Sequence, residues 1–255
     1  MGEITALLDA HAFGFVLVLC RVGCAAMLLP GIGEAELPLS ARLAIALALT
    51  VLLLPAVQPS LGTTPAGVFP LASMLFGEIA VGLWMGWLVR IAVQILPVAG
   101  QVLAATMGLT NVIAPDAELG GQSSALSHAL ALAAPLLVLA GDLHELPLRA
   151  LAHSYAIIVP GRPLPEGDAI GVALAALGLA FDAVLRLAGP VVLAGVLWQV
   201  CLSLLSRLVP QLQVYFAAMP GQIAGGLLLL AAISGGMLQG WLEHVRTAFL
   251  TIAAL

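Results

Sequence analysis

Three groups of residues carry the side chains of known chemistries. The run Asp142-Leu143-His144-Glu145 starts like a zinc-binding His-Glu-x-x-His helix, in which two histidines four apart hold the metal and the glutamate acts as base. Position 148 is Leu, and His153 falls on another part of the helix, so the second ligand is missing. Ser123, Ser124, Ser127 and His128 follow Gly120-Gly121 and put hydroxyls next to an imidazole. No Gly-x-Ser-x-Gly turn surrounds them, and no acid is placed to orient the histidine. The run fits a helix start better: a Gly-Gly turn, then Ser or Gln as N-cap. Cys20 and Cys24 are one helical turn apart and could ligate a soft metal. With no further Cys or His nearby, they read as small buried hydrophobes. A glycine-rich phosphate loop is also missing. The expectation is a chain that is not an enzyme and holds no metal or cofactor.

The elements that would position such groups are set by composition. Of 255 residues, 62% are apolar and 8% are charged, against about 25% charged in soluble domains. So few charges cannot cover a soluble globule, and disordered chains are poor in apolar residues. All 8 basic residues are Arg, too few and too scattered for a nucleic-acid-binding face. The net charge of −5 names no partner, and three cysteines make no disulfide framework. The acidic start, with Glu3 and Asp9, argues against a cleaved signal peptide. The class is integral membrane, or buried in a membrane-associated assembly, as one helical domain over 1–255.

Long uncharged runs cover 43–77, 91–115, 119–141, 187–206 and 208–242; a membrane span needs about 20 apolar residues. They predict helices near 11–29, 39–57, 70–96, 98–113, 122–141, 169–206 and 211–249. This is an all-α fold of about six to eight long apolar helices. Pro190, Pro210 and Pro220 are expected kinks or breaks. Candidates 70–96 and 98–113 meet at Pro97 and Gly100, as one bent element or a hairpin. The apolar runs are rich in Ala and Leu and do not alternate, which disfavours strands.

The charges do not sort onto one side of a membrane. Arg42, Arg149 and Arg162 lie in or near loops, whereas Arg21, Arg90, Arg186 and Arg207 lie in or beside apolar runs. A charge at mid-bilayer costs roughly 2.5–3.5 kcal/mol on insertion scales, so such charges should face protein or water. Asp182 with Arg186, Glu145 with Arg149 and Glu243 with Arg246 are spaced for pairing along a helix. Glu78, Gly82, Gly86 and Arg90 share one ridge at steps of four. Its two glycines admit another helix closely, and its charged ends invite pairing across the contact. Gly221 with Gly225 and Gly236 with Gly240 repeat that spacing late in the chain. Between two apolar helices, 106–122 is rich in helix breakers. Such a break at membrane depth is tolerated only against protein or a water-filled cavity; it is an interhelical turn or a plug-like loop.

Several of these residues, in order and spacing, resemble the FliR family of flagellar biosynthetic proteins and its injectisome counterpart. The resemblance runs over nearly the whole chain. It begins with Arg21-Val22, Pro30, Gly33, Pro38, Arg42, Ala46 and Pro55, and continues with Glu78-Ile79-x-x-Gly82-x-x-x-Gly86. Ala99-Gly100-Gln101 with Gly108-Leu109, then Ser154-Tyr155 with Val159-Pro160-Gly161, are similar in the same way. Pro210-Gln211-Leu212-Gln213-Val214-Tyr215, Pro220 and Gly225 resemble the family's late element. The chain departs from the family at Pro115-Asp116, where Asp-Pro is usual, and at Gln222, near which a Lys is common.

The resemblance implies membrane-associated helical hairpins that form a subunit of the type III export gate at the flagellar basal body in the bacterial inner membrane. Its partners would be FliP, FliQ and an FlhB-type subunit, with lipid around them and unfolded export substrates passing through a central channel. A plug loop would be built on Met107, Gly108, Leu109, Val112, Ile113, Pro115 and Asp116. Glu78, Gly82, Gly86, Arg90, Gly221, Gly225, Gly236 and Gly240 would serve subunit packing. An injectisome gate subunit is the next reading. A small-molecule secondary transporter is the third, weakened by the lack of internal repeats.

Overall fold

The computed structural model describes residues 2–60, 67–109, 124–161, 166–208 and 214–253. Seven α-helices hold most of them: α1 (Gly2–Ala26), α2 (Leu39–Val57), α3 (Val68–Met107), α4 (Ala125–Ala140), α5 (Glu145–Ile157), α6 (Glu166–Leu208) and α7 (Val214–Ala253). A single short 3-10 turn follows α2 at Gln58–Ser60. No strand occurs among the described residues. The all-helical class expected from the apolar runs is what the chain adopts.

Where the elements differ from expectation, the cause is local. α2 covers the expected 39–57. The two candidates meeting at Pro97 are one helix, α3, unbroken through the proline. Pro190 and Pro220 likewise lie inside α6 and α7, while Pro210 lies outside the described residues. A proline removes one helical hydrogen bond, and apolar surroundings offer the freed backbone no better conformation. α5 was passed over by counting uncharged runs, because Glu145 and Arg149 interrupt it. Those two are paired at 2.9 Å along the helix.

Helix ends follow from capping chemistry. At the start of α4, Ser124 Oγ accepts the backbone N–H of Ser127 at 3.1 Å, the N-cap bond that the Gly-Gly-Gln-Ser run suggested. At its end, Leu143 N–H donates to the Val138 carbonyl and Asp142 N–H to that of Leu139. These are the paired bonds of a Schellman stop. Asp142, with φ 53°, takes the left-handed position that glycine usually fills. The turn bends α4 and α5 by 72°.

Among the described residues, four helices are long and apolar enough to cross a membrane, or five if the bent α4–α5 pair counts as one span. α2, with 19 residues, is about 28 Å long at 1.5 Å per residue, close to the hydrocarbon thickness of about 30 Å. α3, α6 and α7, with 40, 43 and 40 residues, reach about 60 Å. Each is about twice as long as that thickness.

The chain divides into two compact units. The first comprises residues up to Ala92, Val138–Leu177 and Arg246 onward. In it α1 packs against α2, and its core gathers Val18, Val22, Ala25, Val57, Val81, Met85, Ala150, Leu151 and Tyr155. The second comprises Val93–Leu137 and Gly178–Val245. Its buried residues include Leu96, Ala99, Leu103 and Met107 from α3, Ala188 and Val191 from α6, and Trp241 from α7.

Candidate functional site

In the first unit, a fully buried ion pair joins three helices. Arg21 on α1 and Glu78 on α3 are both 0% exposed. Arg21 Nε donates to Glu78 Oε2 at 2.7 Å, and Nη2 donates to Oε1 at 3.0 Å. This two-pronged geometry is the strong form of the arginine–carboxylate contact. Further partners for both groups come from the chain itself. Nη2 also donates to the Ile158 carbonyl at 3.1 Å, and Nη1 to Ser154 Oγ at 3.1 Å. Glu78 Oε1 accepts the Gly161 N–H at 2.9 Å. The guanidinium carbon stands 4.1 Å from the centroid of the Tyr155 ring, within cation–π range. The cluster thus locks α1, α3, α5 and the turn after α5 in one register. Charges this costly to bury hold only when every partner is in place.

The ridge that starts at Glu78 receives α1. A Cβ at Gly82 would collide with the Arg21 carbonyl oxygen, and one at Gly86 would fall 2.8 Å from Leu28 Cβ. The two glycines are therefore where the α1 backbone meets α3. At the far end of the row, Arg90 grips Glu34 with two bonds of 3.0 and 3.1 Å, tying the turn after α1 to α3. Within the chain, then, Glu78, Gly82, Gly86 and Arg90 face α1 and the turn that follows it.

In the second unit, the end of α3 is the centre of interest. Met107 is 1% exposed, and Gly108 follows with φ 76°, a backbone turn that suits glycine. Leu109 is half-buried. Val112, Ile113, Pro115 and Asp116 lie outside the described residues. The chain re-enters at Ser124, whose N–H and hydroxyl both donate to Gln101 Oε1, at 3.1 and 3.3 Å. Ser127 Oγ donates to the Pro97 carbonyl at 2.8 Å. α4 approaches α3 closely here, since a Cβ at Gly100 would lie 2.7 Å from a Leu130 methyl.

Beside the end of α3 lies a pocket of about 220 Å³, lined by Thr106, Met107, Val191, Ala194, Gly195, Trp198, Gly221, Gln222, Gly225, Gly226 and Leu229. The late glycines divide into two kinds. Gly221 lies against the Trp198 ring and Gly240 near Leu187, whereas a Cβ on Gly225 or Gly236 would meet, among the described residues, nothing within 4 Å beyond its own helix backbone. Sequence reasoning missed several partners: Glu34, Ser154, Gly161 and the Ile158 carbonyl at the ion pairs, and Trp198 at the pocket. Ser154 and Gly161 stood in the family-like motifs without a role; their spacing along the chain gave no sign of Arg21 or Glu78.

No group of three or more His, Cys, Asp or Glu able to hold a metal occurs among the described residues. Cys20, Cys24 and Cys201 are free thiols. Asp182 and Arg186 pair at 2.7 Å on the outside of α6. Helices of this length and apolarity define a polytopic helical membrane protein. The chain belongs to the bacterial export proteins, family 1, the family of the flagellar biosynthetic protein FliR, whose model it matches over residues 12–248. It is 31% identical over 230 residues to the flagellar biosynthetic protein FliR of Caulobacter vibrioides, covering 90% of this chain and 92% of that one. The FliR proteins of Bacillus subtilis, at 26% identity over 85% of this chain and 84% of that one, and of Escherichia coli, at 24% over 88% and 85%, are similar too.

Proposed function

We propose that this chain is a subunit of the flagellar type III secretion export gate. It forms part of the channel through which unfolded flagellar proteins leave, in the bacterial inner membrane at the base of the flagellum. Family membership and the names of its relatives support the flagellar export role. The observation that carries the subunit role is the bareness of α6 and α7. In their most apolar stretches of 18 residues, 11% and 0% of residues are buried within the chain. α6 also carries Asp182 and Arg186, 55% and 79% exposed. A lipid-facing surface would not keep a charged pair in the middle of an apolar helix, so protein partners fit this face better. On this reading those partners are FliP, FliQ and an FlhB-type subunit. The segment from Met107 to Asp116 closes the resting channel with apolar side chains that exclude water. The chain itself performs no reaction.

Native mass spectrometry of the tagged chain, expressed with and without FliP and FliQ of the same organism, tests this. The expected result is a complex with one copy of this chain and several of each companion. A stable monomer or homo-oligomer indifferent to the companions would overturn the proposal in favour of a transporter. Preference for injectisome companions would move the assignment to that apparatus.

A further inference from the structure

α7 holds the end of α3 at two adjacent points. Gln222 Nε2 donates to the Thr106 carbonyl at 2.9 Å. Thr106 is one of the last four residues of α3, whose carbonyls have no partner inside the helix. One turn along α7, Gly226 provides the notch for Met107: a Cβ there would lie 2.6 Å from Met107 Cγ. Thr106 Oγ1 is turned back onto the Val102 and Leu103 carbonyls. On another side α6 comes close at Gly195, where a Cβ would lie 3.3 Å from Thr106 Cβ, and the pocket opens beside Trp198. A Cβ on Gly108 would itself lie 3.6 Å from Gln222 Nε2, so the amide sits directly at the point where the chain turns out of the helix.

We propose that Gln222 is a positioning residue. Its amide caps the carboxyl end of α3 and, with Gly226, fixes where the chain leaves α3 at Gly108. The proposal rests on the preceding section only for its effect on the channel. The chemistry specifies what position 222 must be. The carboxyl end of a helix is its negative end, stabilised by donors and cations and destabilised by anions. A lysine there keeps both the donor and the favourable charge. A leucine removes the donor, and a glutamate places a carboxylate against helix carbonyls.

The test is hydrogen exchange at the amides of 105–109 in the full chain, assembled with its gate companions. Exchange is expected to be about tenfold faster in Q222L, the order of one net hydrogen bond. It should be faster still in Q222E and near wild type in Q222K, with the Arg21–Glu78 region unchanged in all three. Q222K exchanging as fast as Q222L, or Q222L as slowly as wild type, overturns the proposal. If Q222L does not accumulate, the order of Q222K and Q222E decides alone. Membrane conductance separates the two readings, with a variant shortened at 110–114 as reference. Exchange that follows the charge order without any rise in conductance, in Q222L or in the shortened variant, keeps the positioning role and removes the channel-closing role from the preceding reading.

Discussion

Two ion pairs sit on long apolar helices of this chain and are handled in opposite ways. Arg21 and Glu78 are wholly buried, and their partners come from α1, α3, α5 and the turn after it. Asp182 and Arg186 pair along α6, with His244 of α7 near Asp182, and stay mostly exposed. The apolar surfaces divide the same way. In the most apolar stretch of α3, 56% of residues are buried inside the chain, and in that of α7 none are. The first unit supplies its own partners for every strong charge at its core. On α6 and α7 the pair of Asp182 and Arg186 and the most apolar stretches stay largely uncovered within the chain, and on the proposed reading gate companions cover them. A chain built only to meet lipid would have no use for the second pair.

The comparison breaks most clearly at Glu78. Replacing it with Ala leaves the Arg21 guanidinium buried without its anion, which costs about 3–5 kcal/mol. That is a large part of the stability of an ordinary domain, about 5–15 kcal/mol. Thermal unfolding in detergent should show a large loss of stability, and the yield of folded chain should fall. A double variant with Arg21→Met and Glu78→Leu should recover much of the loss, because removing both charges leaves no uncompensated ion. Equal losses in Glu78→Ala and Asp182→Ala would mean that burial does not distinguish the two pairs.

The same contrast applies to glycines, with a smaller expected effect. Gly82→Leu would drive a side chain into the α1 backbone at Arg21. Overpacking typically costs about 1–3 kcal/mol, and here the upper end is expected because the obstacle is backbone. The variant should lose its complex with the gate companions. Gly236 has, among the described residues, no atom beyond its own helix backbone within reach of a Cβ. Gly236→Ala should therefore leave the free chain unchanged or stabilise it, by up to about 1 kcal/mol of helix propensity. Normal motility and copurification in Gly82→Leu would refute the close-approach reading of the ridge.

What could be read from sequence follows the same division. Helix identity was legible nearly everywhere, because long Ala- and Leu-rich runs with few charges leave little alternative. α2 emerged with its ends in place, since Pro38 and Gln58 mark them. The Ser124 cap was legible because it is a local bond across three residues. So were the Glu145–Arg149 and Asp182–Arg186 pairs, each one helical turn apart. The Glu78–Arg90 ridge announced a close helix contact with charge pairing, but not its partner. Arg21 is 57 residues from Glu78, and Glu34 is 56 from Arg90; nothing local encodes those distances. Gln222 is 116 residues from Thr106 and was legible only as a departure from the family pattern. Pro97 left two readings open, one bent element or a hairpin, and the structure takes the single element: α3 runs through the proline, with Ser127 meeting its carbonyl from α4.

The smallest effect lies at the exposed pair, and it is the most informative about what covers α6. In the free chain, Asp182 and Arg186 resemble other solvated pairs four apart on a helix, whose coupling is about 0.3–0.5 kcal/mol. A double-mutant cycle over Asp182→Ala and Arg186→Ala, read by unfolding of the purified chain, should return a value of that size. The same cycle, read by dissociation of the assembled complex, should return more. A partner helix laid over α6 removes water from the pair and moves it towards the condition of Arg21 and Glu78, and close pairs at protein interfaces couple by roughly 1.5 kcal/mol or more. If the two cycles agree, this face meets water even in the assembly, and the unburied helices have their apolar surface covered elsewhere along their length. A rise on assembly would mean instead that the second ion pair becomes, in the complex, what the first already is in the single chain.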